Sequence, residues 1–299
     1  MNRPQNPKYH RQYYILAMVD LAGGNLSKMD FQKLLFLSQH ETTASYYDFV
    51  PYYYGCYSFQ ANADVDRLQS LGWLDVEEKS IRMKHSLHWD TLTGSNGKEL
   101  WRFMTRYKNI RGSDLVRSVY ERYPYYAINS RIADKIAATD TKEEIAKIKA
   151  STQAVDKTLF TIGYEELSFE AYTNKLLQNG IKLLCDVRKN PLSRKFGFSK
   201  KILSHTLPKL GINYIHIPEL GIVSEKRKDL ASASDYKVLF DNYRASLGAK
   251  SKHLSEIIRL LDQHKRVALT CFEKHSQFCH RHCISNYLEI DGGIRVTHL

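Results

Sequence analysis

The strongest constraint on this chain lies in its second half, where short apolar runs alternate with stretches of helical period. Leu159-Phe-Thr-Ile-Gly, Ile181-Lys-Leu-Leu-Cys-Asp-Val-Arg, Asn213-Tyr-Ile-His-Ile and Arg266-Val-Ala-Leu-Thr-Cys read as strands. Residues 169–178, 199–210, 236–247, 254–264 and 280–288 carry helical spacing. Strands that alternate with helices pair in parallel through right-handed crossovers. Residues 157–299 are therefore expected to form an α/β domain, a mostly parallel sheet with flanking helices.

The first half has a different rhythm. An apolar run at 14–21 stops at Gly23-Gly24, and Ser27 stands as the N-cap of a second helix over 29–38. A third helix is predicted over 62–71, followed by a strand from Trp73 and a return strand over 81–85. The phrase Leu68-Gln-Ser-Leu-Gly-Trp-Leu, a helix that ends at glycine and runs into a strand, is typical of a winged helix. Residues 1–133 are thus expected to be a mainly helical, winged-helix-like, nucleic-acid-binding domain. The tyrosines between Tyr46 and Tyr57 fit base stacking or packing, and packing is the stronger reading because Pro51 and Gly55 break the run and few basic residues interleave. The Ala-rich, charged stretch 134–156 reads as a linker helix with a thin apolar face.

Charge narrows the class of partner. Among 299 residues, 44 Lys and Arg against 32 Asp and Glu leave a net charge of +12, which favours a polyanion. The excess is concentrated: Lys182, Arg188, Lys189, Arg194, Lys195, Lys200, Lys201 and Lys209 face one acid, Asp186, in residues 181–210. A second tract holds Arg102, Arg106, Lys108, Arg111, Arg117, Arg122 and Arg131. At 43% hydrophobic and 25% charged the composition excludes a largely disordered chain. No run approaches a bilayer span and no secretory signal opens the chain, so a cytoplasmic protein without a membrane partner is expected.

Ligands of open parallel sheets bind beyond the carboxyl ends of the strands. Those ends deliver Tyr164 after the first strand and Asp186, Arg188 and Arg194 after the second. The strand from Arg266 delivers Cys271 and Glu273, and His280 and Arg281 open the following helix. Cys271, at a strand end near a helix N-terminus and arginines, fits a nucleophilic thiolate or a small, buried and inert strand-end residue, and Glu273 fits an acid or base. Asp186 beside Arg188 and Arg194 fits attack at a nucleotide's sugar carbon, or equally a structural ion pair. Tyr164 fits a hydrogen bond to a base or phosphate, or packing. Cys271, His275, Cys279, His282 and Cys283 invite a metal reading, with Cys279 and Cys283 one helical turn apart and His275 or Cys271 available to complete a shell; against it stands the usual zinc pattern of two tight pairs far apart in the chain. No metal or cofactor is expected.

In order, Thr161-Ile-Gly-Tyr, Asp186-Val-Arg with Pro191 and Ser193-Arg194, Leu210-Gly-Ile-Asn-Tyr, Leu220-Gly, and Cys271-Phe-Glu with Cys279-His-Arg resemble the motifs of the domain-of-unknown-function family DUF488. The resemblance covers 157–299. It implies an α/β fold and a site on the strand-end rim, gives weight to Cys271, Cys279 and His280, and carries an association with nucleic-acid metabolism and genome defence. Ile222 stands where the family has a second glycine, Ser276 where it commonly has proline, and His282-Cys283 adds two potential ligands.

These readings converge on a nucleic-acid-directed enzyme, glycosylase-like, that processes a base or its glycosidic bond in DNA repair or phage defence, with DNA preferred over RNA. Asp186, Glu273, Cys271 and His280 are its candidate catalytic residues; Tyr164, Arg188, Arg194 and Arg281 are its candidate substrate contacts. The alternative is a non-catalytic nucleic-acid-binding regulator or sensor of modified nucleotides.

Overall fold

The computed structural model describes residues 4–86, 95–223 and 233–299. The chain forms two compact units that divide between Ala150 and Ser151.

The first unit is largely helical. Its elements are α1 (His10–Leu21), β1 (Asn25–Ser27), α2 (Lys28–Glu41), β2 (Val50–Tyr52), β3 (Gly55–Tyr57), α3 (Phe59–Ser70), β4 (Leu74–Val76), β5 (Ser80–Met83), α4 (Ser95–Arg106), α5 (Gly112–Arg122), α6 (Ala133–Ile136) and α7 (Thr139–Ser151). The expected cap is present: the Ser27 hydroxyl accepts from the Asp30 backbone N–H at 2.9 Å and donates to the Asp30 carboxylate at 2.8 Å. The hairpin β4–β5 joins β1 in an antiparallel sheet ordered β1-β5-β4. The tract read for its charge proves to be two amphipathic helices. Leu100, Phe103 and Met104 of α4 and Leu115, Val116, Val119 and Tyr120 of α5 are buried in one core with α1 and α2. Ile145 of α7 is buried in that same core.

The second unit consists of β6 (Thr158–Gly163), α8 (Phe169–Gln178), β7 (Leu183–Asp186), α9 (Lys200–Thr206), β8 (Asn213–His216), α10 (Ala233–Ala245), α11 (Ser251–His264), β9 (Arg266–Cys271), α12 (Arg281–Gly292) and β10 (Val296–His298). Its five strands form one sheet, β10-β6-β9-β7-β8, parallel at every pairing. All six positions of β6 and of β9 are buried, as a sheet with helices over both faces requires. Parallel pairing gathers the carboxyl ends of β6, β9, β7 and β8 on one edge, where the register aligns Gly163 with Cys271 and Asp186 with Thr270 and His216. The short β10 went unread in the sequence; three residues with one charged neighbour offer no period to detect. No described helix is long and apolar enough to cross a membrane.

Candidate functional site

The strand ends meet in a buried polar lattice. Asp186 closes β7 with no exposed surface. Its Oδ1 accepts from the Arg188 backbone N–H at 3.1 Å and from Arg188 Nε at 2.8 Å, and its Oδ2 accepts from Arg188 Nη2 at 2.5 Å and from the Tyr214 hydroxyl at 2.7 Å. Arg188 Nη1 donates onward to the Tyr164 hydroxyl at 2.8 Å and to the Phe198 carbonyl at 2.9 Å. Burial by itself would lower the Arg188 pKa, but the hydrogen bonds and charge of Asp186 outweigh it and the pKa is raised. Burial, together with the charge of Asp186, drives the Tyr214 phenol well above its ordinary value. The ring of Tyr164 stacks on Phe198 at 4.3 Å between centroids. Of the two readings open for Asp186, the geometry is that of the ion pair, with both carboxylate oxygens engaged.

A second cluster closes β9. Arg281, 1% exposed, forks onto the loop that follows this strand, Nη1 donating to the Glu273 carbonyl at 2.6 Å and Nη2 to the Lys274 carbonyl at 2.9 Å. That loop passes so close to β6 that a Cβ on Gly163 would lie 1.8 Å from the Glu273 carbonyl oxygen, so only glycine fits there. Glu273 is half-buried, with its main chain held by this contact. Cys271, Cys279 and His280 are all buried; the two sulfurs lie 3.7 and 3.8 Å from His280 Nδ1, and His280 Nε2 donates to the Val187 carbonyl at 3.0 Å. Burial and the adjacent Cys271 thiol push the Cys279 thiol well above its ordinary value. Cys283 turns to His282 instead, Sγ to Nε2 3.5 Å, and burial raises its pKa to about 11.

The predicted residues therefore come together on one edge, but mostly beneath its surface. Tyr164, Asp186, Arg188, Cys271, His280 and Arg281 are buried, while Arg194 is exposed. The open space lies beside them. A cavity of about 770 Å³ is lined by Lys189 after β7, Glu219 and Gly221 after β8, and Asp235, Asn242 and Tyr243 of α10. A Cβ on Gly221 would stand 2.2 Å from the Lys189 backbone nitrogen, so this glycine lets the loop after β8 cross the chain at Lys189. The Tyr243 ring meets His280 edge-on at 5.5 Å and its hydroxyl donates to the Leu220 carbonyl at 2.5 Å.

Glu219 and the α10 residues were missed from sequence. Glu219 carried a faint signal, since it directly precedes Leu220-Gly; Asn242 and Tyr243 sit on an ordinary amphipathic helix and line the cavity only because of where α10 lands.

Residues 168–288 match the family described as Domain of unknown function DUF488. The match begins after β6, so Thr161-Ile-Gly-Tyr lies outside it. No curated protein and no solved structure matches the chain. What the comparisons add to the geometry is a single placement: the α/β unit carries, at residues 168–288, a DUF488 domain.

Proposed function

We propose that the protein acts on nucleic acid, DNA in preference to RNA, and that the second unit processes a base or its glycosidic bond in the cavity at the carboxyl ends of β7 and β8. The observation that carries this reading is the position of Lys189, which lines a cavity of nucleotide size and begins a cationic segment. Lys189, Arg194, Lys200 and Lys201 are exposed along it. In this proposal Asp186 and Arg188 are positioning residues that fix the loop bearing Lys189, and the carboxylates within reach of a bound nucleotide are Glu219 and Asp235.

The first unit takes the winged-helix role, supported by the pairing of the β4–β5 hairpin with β1. The exposed face of α3 sets Asp66 beside Arg67, a neutral surface. Much of the cationic tract on α4 and α5 is already committed: Arg106 and Arg122 pair with Glu41 and Arg117 with Asp114. Phosphate contact is accordingly assigned chiefly to residues 189–201.

One observation favours the second reading, a sensor that binds without turnover: the polar groups that close β7 are satisfied by one another. Mass spectrometry of duplex, single-stranded and modified-base DNA after incubation separates the two. Release of a base by the wild type, abolished in Glu219→Gln with binding retained, is the result expected of the enzyme. Binding without any mass change assigns the sensor role, and absence of salt-dependent binding defeats both.

A further inference from the structure

We propose that Cys271, Cys279 and His280 form a binding site for a thiophilic divalent cation, zinc by its donor set. This departs from the expectation of no metal and is independent of the nucleotide reading.

The donors come from two elements, the end of β9 and the turn into α12, and their ligand atoms all lie within 4.8 Å of one another. Zinc holds thiolate at about 2.3 Å and imidazole at about 2.0–2.1 Å, so a sulfur and a nitrogen on one zinc stand about 3.6–3.8 Å apart at tetrahedral to trigonal angles. The two S···Nδ1 separations are 3.7 and 3.8 Å. Both sulfur–nitrogen separations thus match those expected about one shared zinc ion.

His280 is also prepared for this role. Its Nε2 donates to the Val187 carbonyl, which fixes the tautomer and leaves the Nδ1 lone pair facing both sulfurs. An outer hydrogen bond of this kind orients metal-bound histidines generally. Without a cation the arrangement is poorly matched, because one lone pair accepts one thiol proton and the other thiol has only a weak sulfur acceptor within the cluster. A divalent cation that displaces both protons satisfies two thiolates and one imidazole at once, and two protons leave to solvent. The donor set, two soft sulfurs and one imidazole, suits zinc and excludes magnesium or calcium.

Among the described residues no fourth side chain joins the three, the ligand count of zinc sites that keep a position for water or substrate. Cys283, His275 and His282 stay outside the cluster.

The test is titration of the reduced, metal-free full chain with cobalt(II) and then zinc. One equivalent of cobalt is expected to give thiolate-to-metal charge-transfer absorption and visible bands of tetrahedral intensity, both displaced by zinc. Removal of a ligand in Cys271→Ser or Cys279→Ser is expected to weaken zinc by more than the roughly 10–100-fold that removal of an outer partner costs. Cys283→Ser and His275→Ala are expected to bind as wild type does. Circular dichroism establishes that each variant is folded. For a variant that is not, the wild type alone decides: bound zinc should shield two thiols from alkylation, mapped by mass to Cys271 and Cys279. Absence of thiolate bands, shielding of other cysteines, or binding that survives Cys279→Ser would overturn the site. So would isolation of a Cys271–Cys279 disulfide that, once reduced, takes up no metal.

Discussion

The Arg188 guanidinium serves three partners from within the fold, Asp186, Tyr164 and Phe198, and the consequence is a sharp prediction at the level of single residues. Asp186→Asn leaves a buried guanidinium without its counter-charge, which costs about 3–5 kcal/mol. Urea denaturation should show that deficit, and Asp186→Asn combined with Arg188→Met should recover much of it, because no unpaired charge then remains. A double variant as unstable as the single one would show that the deficit comes from packing instead. Gly163→Ala presses a methyl group into the Glu273 carbonyl, a main-chain atom that cannot rotate aside. Overpacking costs about 1–3 kcal/mol, and the thermal midpoint should fall accordingly. The gathering of these side chains at one edge was legible in sequence because parallel strands deliver their carboxyl ends together; their inward direction was not, because Asp186-Val-Arg closes a ring between residues two apart that spacing alone leaves open.

Among the elements, α2 carries an anomaly on its buried face. Lys33, 2% exposed, donates to the Cys56 carbonyl at 3.0 Å, and burial lowers its pKa. Between that lowered value and the ordinary lysine value the unfolded chain holds a proton that the folded chain has released, so stability rises with pH through this interval. Relative to Lys33→Met, wild-type stability should climb toward pH 10 with a slope of at most about 1.4 kcal/mol per pH unit. Parallel urea curves at each pH give the difference, and a flat one would place a charged ammonium in the core. On α9, Lys200→Glu with Lys201→Glu should weaken DNA binding and reduce its salt slope by about one for each phosphate left without its lysine, whereas Arg67→Ala on α3 should leave it unchanged. Strands β6, β7 and β9 were legible because burial at every position leaves an unbroken apolar signature. Helices α4 and α5 were obscured by their arginines, and Glu41, which pairs with Arg106 and Arg122, lies on α2, far away in sequence.

Across the whole molecule, each unit has its own apolar core, Phe31, Leu34 and Phe103 in one and Leu183, Val267 and Leu269 in the other. Residues 1–150 and 151–299 are therefore expected to fold when produced separately, each with a cooperative thermal transition; a fragment lacking one would show that its core is incomplete. The α/β class was legible at this scale, but the strand order was not, since alternation specifies parallel pairing without saying which strands are neighbours. That order puts β9 between β6 and β7 although it follows both in the chain. On a ribosome the two earlier strands therefore emerge as unmated edges and must wait for a latecomer to wedge between them. Throughout that delay the nascent chain offers other chains a template for mispairing, so the unit's yield in a cell is governed by synthesis and chaperone traffic as much as by the stability of the finished sheet.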